Sequence, residues 1–321
     1  MLRASSIVLA LLGGFIAAAQ PATAQEWPTR SVRFILPIGP GAGVDITARL
    51  LADKLSARWN QPVVVENRPG GDGILAITSV LNAKDDHVLL FAPASTFTAH
   101  PLMHAKVPYE VNDLEPIARV TNTIIGIAVP STLNVSSLKE FVAKIRAEPG
   151  KMNYASATGA NDLLFAAFLK GEKLDMAKVP YKNTVDAVND LAEGRVQGYV
   201  AAYAILRPRI QAGKVKVLAL TNPKPAESLP SIPTATQAGF PAFTIDGLTG
   251  LFSARGMPLA VRERIARDIR EVVTDKAVVE RLGATGQVVN PGTPAEFAAA
   301  IQDQRATVKR IGEVLQLTPS Q

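Results

Sequence analysis

The chain has 321 residues, 47% of them hydrophobic and 19% charged, with a net charge of +6 and no cysteine. That length exceeds what one hydrophobic core usually organises and the composition is globular, so two domains are expected and disorder is not. The missing cysteines exclude disulfides, thiolate metal sites, a cysteine nucleophile and a lipid-modified cysteine anchor, and without a Lys/Arg run or basic stripe nucleic acid is not an expected partner.

Residues 1–24 read as a signal peptide. Arg3 is their only charge, an apolar run follows from Ile7 to Ala19, and Ala22-Thr23-Ala24 supplies the small residues that signal peptidase reads. Cleavage after Ala24 starts the mature chain at Gln25. The apolar run is short for a membrane span, and no later stretch is apolar enough to cross a bilayer. Losing Arg3 takes the net charge from +6 to +5, a mild excess that suits an anionic ligand. An exported chain without cysteine fits a bacterial periplasm, where a large core makes disulfides unnecessary.

Strand and helix patterns then alternate. Val32, Phe34 and Leu36 alternate as a strand, Pro37 to Gly43 make a turn, and Val44, Ala48, Leu51 and Leu55 share one helical face. Val63-Val64-Val65 reads as a buried strand, Ile74 to Leu81 as a helix and Val88 to Phe91 as a third strand. Such β-α-β runs predict parallel sheets covered by helices on both faces. A second series has a strand over Ile124 to Val129, a helix opened by a capping box of Ser137 and Glu140, and a short strand ending at Tyr154. The loop Ala155 to Asn161, a helix, the strand Ala177 to Pro180 and a helix ended by Gly194 follow. Val196 to Ala201 and Val215 to Leu220 are further strands. Pro223, Pro225, Pro230, Pro233 and Pro241 mark an ordered connector. Leu248 to Ser253 precedes two helices, one carrying Val261, Ile265, Ile269 and Val272, the other capped by Thr293 with Pro294 and Glu296, around a short strand Gln287 to Val289. The fold expected is α/β, with two lobes joined by hinge segments near residues 118–126 and 242–252. Residues 25–122 and 246–321 form the first lobe and residues 123–245 the second.

Open α/β sheets bind ligands beyond the carboxyl ends of their strands, which directs attention to two loops. Ile38-Gly39-Pro40-Gly41-Ala42-Gly43, with Asp45 just inside the helix, lets backbone approach a ligand and offers helix-start amides to an anion. The plainer reading is a tight turn capped by Asp45. No Lys-Ser/Thr pair and no G-x-G-x-x-G spacing accompany it, so it is not a nucleotide loop. Ser156-Ala157-Thr158-Gly159-Ala160-Asn161 offers hydroxyls, a glycine and another helix start, against a plainer reading as a cap by Asn161 or Asp162. Ser95 and Thr96 follow a strand and are candidates for the same cleft, against a plainer reading as a simple turn. Tyr181 and Lys182 lie at another strand end, where packing and solvation are their ordinary roles. His87, His100 and His104 lack metal-ligand spacing, the latter two flanking Pro101 in a polar loop, and Ser156 lacks the glycines of a nucleophile elbow. No catalytic group, metal or cofactor is expected, and the chain is read as a binding protein rather than an enzyme.

Several stretches carry a resemblance. Trp27-Pro28-Thr29-Arg30-Ser31-Val32-Arg33, Pro37 to Leu55, Pro62-Val63-Val64-Val65-Glu66-Asn67-Arg68-Pro69-Gly70-Gly71, Val179-Pro180-Tyr181-Lys182, Leu229-Pro230-Ser231-Ile232-Pro233-Thr234 and Gly250-Leu251-Phe252 occur in this order. Together they resemble the periplasmic receptors of tripartite tricarboxylate transporters, the Bug family, over nearly the whole mature chain. The resemblance implies two Rossmann-like lobes of periplasmic-binding-protein (Venus flytrap) type that close over a ligand. It implies a carboxylate held by the first-lobe glycine loop and ordered waters, with Ser156 to Asn161 opposite. The expected partners are a small carboxylate and, where a cognate exists, a multi-span membrane permease, the receptor itself being a monomer.

The sequence also departs from the family pattern. Ala42 replaces the usual second loop glycine, the loop 155–161 is one residue shorter and lacks the family's histidine, and Ala201 stands where an aspartate is common. Without that aspartate a ligand carrying an amino group is less favoured than an acidic or partly apolar acid, aliphatic or aromatic. A sensory receptor feeding a membrane signalling protein shares the same cleft chemistry, and a secreted hydrolase is the more distant alternative.

Overall fold

A computed structural model describes residues 27–157, 159–181 and 183–318. The signal peptide expected over residues 1–24, together with Thr158 and Lys182, lies outside the described residues.

The first sheet has six strands and grows from β1 (Val32–Leu36), β2 (Val63–Asn67) and β3 (Val88–Pro93). β1 is the centre of a parallel trio, flanked by β2 and β3. β1 and β3 are almost wholly buried, as the near-continuous apolar runs of Phe34-Ile35-Leu36 and Val88 to Ala92 require of strands covered on both faces. The sheet is completed by β4 (Leu114–Thr123), β10 (Leu248–Ala254) and β11 (Gln287–Gly292), all antiparallel to their neighbours, in the order β11-β4-β10-β3-β1-β2. The second sheet runs β7-β6-β8-β5-β9, from β5 (Ile125–Pro130), β6 (Asn153–Ser156), β7 (Ala177–Pro180), β8 (Gly198–Ala202) and β9 (Val215–Leu220). There β6, β7 and β8 are parallel and β5 is antiparallel to both neighbours. The sheets are therefore mixed rather than parallel. The reason is β4 and β5, consecutive strands that carry the chain from one sheet into the other, and β10, which carries it back.

Helices cover both faces of each sheet. α1 (Gly43–Trp59), α9 (Leu259–Val273) and α10 (Lys276–Gly283) seal one face of the first, around Phe34, Leu51, Phe91 and Ile265. α2 (Ile74–Ala83), the short α3 (Ser95–Thr98) and α4 (His100–Met103), and the start of α11 (Pro294–Leu315) lie on its other side, around Ile77, Phe97, Phe252 and Phe297. α5 (Leu138–Ala147) and α6 (Ala160–Gly171) bury Phe141, Ile145, Phe165 and Phe168 against the second sheet. α7 (Thr184–Ala192) and α8 (Tyr203–Gln211) close its remaining face with Val188, Leu191 and Leu206. The long α11 belongs to both halves: Phe297 and Ile301 join the first sheet's core, whereas Val308 and Ile311 join the cluster built on α5 and α6. No helix among the described residues is long and apolar enough to cross a membrane.

Local chemistry accounts for the element ends. Thr293 Oγ1 accepts from Glu296 N while Glu296 accepts from Thr293 N, a complete capping box at α11. At α5 only half of the expected box forms. Ser137 Oγ accepts from Glu140 N, but the Glu140 carboxylate takes the amide of Ser136 instead. Gly194 follows α7 at φ +75°, as a left-handed stop needs. Four helices escaped the sequence reading: the one-turn α3 and α4 stand where a turn and a polar loop were expected, and α8 and α10 were passed over. α8 carries Pro208 in its interior, which breaks the pattern, and α10 is a two-turn segment opened by Asp275, whose carboxylate accepts from Ala277 N and Val278 N.

Gly250 sits in β10 against Phe297, and a Cβ there would meet the Ala118 carbonyl and fall 2.5 Å from the Phe297 ring. Gly250→Ala is expected to lower unfolding free energy by about 1–3 kcal/mol through overpacking, read from the midpoint of a urea titration at unchanged slope.

Candidate functional site

A cavity of about 610 Å³ lies between the two sheets. Its walls are the carboxyl ends of β1, β3, β6 and β8, and Thr123, Ile125 and Gly247 on the crossing segments form its back. This is the place where open α/β sheets hold ligands.

Among the described residues, five helices longer than a single turn begin at this cavity, beside the one-turn α3 and α4. Gly43 and Val44 of α1, Gly73 before α2, Gly159 to Asp162 at α6, Asn183 and Thr184 at α7, and Ala202, Ala204 and Ile205 at α8 all line it. Four of these starts carry no side-chain cap, since their N-cap residues are Ala42, Gly73, Gly159 and Ala202. Only α7 is capped, by Asn183 accepting from Asp186 N. By contrast α5, α10 and α11, which begin away from the cavity, are capped by Ser137, Asp275 and Thr293, and only α9, opened by Pro258, begins away from it among the described residues without a side-chain cap. A Ser, Thr, Asp or Asn cap stabilises a helix by about 1 kcal/mol relative to Ala, so its omission at the cavity leaves donors for something else. An anion gains roughly 0.3–1 kcal/mol from each exposed helix start, and more where the terminus is partly buried. The starts approach one another closely: a Cβ placed on Gly43 would lie 3.7 Å from Ala204 Cβ of the opposite sheet.

The first glycine loop is braced from beneath. Asp45, 2% exposed, accepts from Gly41 N at 2.9 Å and from Arg49 Nε at 3.1 Å on Oδ2, and from Asn67 Nδ2 at 2.8 Å on Oδ1. Asn67 also donates to Ile38 O at 2.9 Å, tying the loop to the end of β2. Burial alone would raise the Asp45 pKa, but the hydrogen bonds from Arg49, Gly41 and Asn67 outweigh it and hold the carboxyl below its ordinary range. Gly41 itself has φ +86°, which a side chain would strain.

A second glycine loop, Gly70 to Gly73, lines the same cavity. Gly73 is at φ +96°, and a Cβ on it would fall 2.5 Å from Thr96 Cγ2 and 3.0 Å from Pro37 Cβ, so only glycine lets the three strand ends close up. His100 holds this loop in place. Its Nε2 lies 3.0 Å from Asp72 O and its Nδ1 bonds the Tyr109 hydroxyl, while burial pushes the imidazole pKa down. It is thus a buried residue of α4 at the cavity wall, not part of a polar loop.

Ile38, Gly39, Ala42, Gly43, Ser95 and Thr96 line the cavity from the first sheet, and Ala157, Gly159, Asn161 and Ala201 from the second. Five other expected site residues do not line it. Pro40 and Gly41 sit on the outer, exposed bend of the loop, and Asp45 points into the brace. Ser156 is a buried strand residue whose carbonyl receives Tyr181 N, and the Tyr181 hydroxyl donates to Asp190 at 2.7 Å, a packing role. The cap expected from Asn161 or Asp162 is absent, as both lie inside α6 behind Gly159.

Sequence reading missed Gly70 to Gly73, His100, Met103, Asn183, Thr184, Tyr199, Val200 and Gln287 as lining residues. The strand–glycine–helix order of residues 63–81 repeats that of residues 32–55 and could have flagged the second loop. Nothing local to Gln287 distinguishes it.

No Lys or Arg occurs among the described lining residues, whereas Asp72 and Asp162 do. Asp162 Oδ2 takes the Lys178 ammonium at 2.7 Å. Away from the cavity, ligand atoms of Asp85, Asp86 and His87 fall within 4.8 Å of one another in metal-like proximity. Arg30 already pairs with Asp85 at 2.7 Å, and His87 Nε2 accepts from Thr29 N at 3.1 Å, so these groups are satisfied within the chain.

Residues 47–317 match the sequence model described as the tripartite tricarboxylate transporter family receptor. Protein BugT of Bordetella pertussis is 30% identical over 307 residues, spanning 92% of this chain and 94% of BugT. Among solved structures, one described as a periplasmic transporter aligns with TM-score 0.81 at 28% identity, covering 91% of this chain and 99% of its own. MatC from Rhodopseudomonas palustris with bound malate aligns with TM-score 0.75 at 26% identity, covering 90% and 99%. The matched span opens inside α1, just past the first glycine loop, so the assignment of that loop stands on geometry.

Replacing Asp45 by Asn should cost about 1.5–3 kcal/mol at pH 7, the scale of hydrogen bonds to a buried charge. Because the folded pKa is depressed, this stabilisation is complete above the unfolded value near ~3.9 and is lost as pH falls through the lower folded value. The gap between Asp45→Asn and the unsubstituted protein in urea unfolding should therefore close below about pH 4.

Proposed function

We propose that this chain, which belongs to the tripartite tricarboxylate transporter receptor family, holds a small carboxylate in the inter-sheet cavity and presents it to a multi-span membrane permease. The observation that carries this reading is the set of four uncapped helix starts, from both sheets, opening on one cavity. Amide donors and helix dipoles solvate an anion without a full counter-charge, so the ligand can be released as readily as it is taken. Ile38, Gly39, Ala42, Gly43, Ser95 and Thr96 would meet it from one side, and Ala157, Gly159 and Asn161 from the other. The malate in MatC supports a carboxylate of this size. Release into the periplasm by cleavage after Ala24 completes the proposal, and capture proceeds without turnover.

Two lobes, residues 25–122 with 246–321 and residues 123–245, are the units whose approach would enclose the ligand. The passages from β4 to β5 and from β9 to β10 are the places where the chain crosses between sheets, which supports these limits.

Isothermal titration of the mature protein against malate, succinate, benzoate and aspartate tests the assignment. Binding of at least one acid without an amino group is expected, and Ala201 lines the wall where an acidic partner for an ammonium would have stood. Binding of aspartate alone would reject the preference, and binding of none of the four would reject the carboxylate reading. At one hundred times its dissociation constant a bound acid should stabilise the native state by about 2.7 kcal/mol, visible as a rise in Tm.

A further inference from the structure

One buried donor at the cavity is left without a use inside the protein. Gln287 opens β11, is 1% exposed and lines the cavity. Its Oε1 accepts from Thr121 Oγ1 at 2.8 Å and Thr123 Oγ1 at 3.2 Å, two hydroxyls on the paired strand β4. Those bonds orient the amide and turn the nitrogen away from β4. Among the described residues Gln287 Nε2 has no hydrogen-bond partner. Buried amide nitrogens are ordinarily paired, and an unpaired one at a cavity wall is explained by a partner that comes and goes.

Its position says which partner. A Cβ placed on Gly43 would fall 2.9 Å from Gln287 Nε2 and 2.8 Å from Thr285 O, so the amide lies directly against the first residue of α1. That residue is glycine because β11 approaches too closely for any side chain. Gln287 Nε2 therefore adds N–H donors to the uncapped start of α1, at the point where α8 of the other sheet also arrives. Every donor gathered there suits an acceptor, and none suits an ammonium group.

We infer that Gln287 is a ligand-binding residue whose Nε2 hydrogen-bonds the carboxylate seated at the start of α1, making this end of the cavity selective for an ionised acid group. The assignment rests on the carboxylate-receptor reading and adds to it the side chain that fixes where the carboxylate sits. Thr121 and Thr123 act through Gln287 as positioning residues. Thr123 lies at the end of β4, next to the crossing into β5, so the donor is fixed at the back of the cleft.

Two substitutions separate donor from scaffold. Gln287→Glu keeps an oxygen to accept from Thr121 and Thr123 but turns the buried donor beside Gly43 into an anionic acceptor. Gln287→Met keeps the length and removes the donor. With malate, succinate and benzoate as probes, titration of Gln287→Met should show affinity lowered about tenfold or more, the scale of one hydrogen bond to a charged group. Gln287→Glu should lose measurable binding. Equal affinity, within twofold, of either folded variant and the unsubstituted protein would overturn the assignment while leaving the receptor reading intact. Absence of binding to the unsubstituted protein would instead remove that reading, and the assignment with it. Should both variants fail to fold, the 15N-labelled unsubstituted protein gives the answer. The Gln287 side-chain amide signals, identified by residue-selective labelling, should shift on saturation with the tightest of the three acids, and unmoved signals would overturn the proposal.

Discussion

Backbone amides at the beginning of a helix have no partner within it, and the whole site is organised around leaving them so. Away from the cavity, among the described residues, three of the four helices obey the usual rule and α9, opened by Pro258, does not. Ser137, Asp275 and Thr293 each accept from the helix they open. At the cavity the corresponding positions are Ala42, Gly73, Gly159 and Ala202, none of which bonds its helix through a side chain. The donors are kept free by the choice of residues that cannot use them. Positive charge is thereby spread over backbone, at fixed positions, with no flexible cation in the described wall.

Fixed donors need a fixed frame, and the interactions beneath the loops supply it. The Asp45 carboxylate collects Gly41, Arg49 and Asn67, and Asn67 reaches on to Ile38, so the first loop is held at both ends by half-buried polar bonds. His100 does the same for the second loop through Asp72 O and the Tyr109 hydroxyl. Glycines do the reverse work. Gly73 lets Thr96 and Pro37 close on it, and Gly43 admits β11. Rigid charge networks below and missing side chains above are complementary ways of bringing main chain to one point.

The strands and amphipathic helices were legible because burial imposes a period. Val32 to Leu36, Val88 to Phe91, and the Val261, Ile265, Ile269 stripe became β1, β3 and α9. The two loops named from strand–glycine–helix order do line one cavity through Ile38, Gly39, Gly43 and Gly159. Three things were not legible. Strand direction was one, because β4, β5 and β10 look locally like any buried strand and only their crossing between sheets makes them antiparallel. A second was the role of Asp45, since a carboxylate near a helix start reads equally as cap, ligand or brace. The third was Gln287, whose significance arises only from Thr121, Thr123 and Gly43 meeting it in space.

The split allegiance of α11 bears on the order in which the molecule can form. Val308 and Ile311 sit in the same apolar cluster as Phe141, Phe165 and Phe168, although some 140 residues or more of chain separate them in sequence. The middle portion of the polypeptide thus emerges from a ribosome or a translocation channel with one side of its interior still bare. It stays unfinished until the final helix has been delivered, so a truncation of that last helix would strike the middle portion of the chain as well as the sheet on which the helix begins.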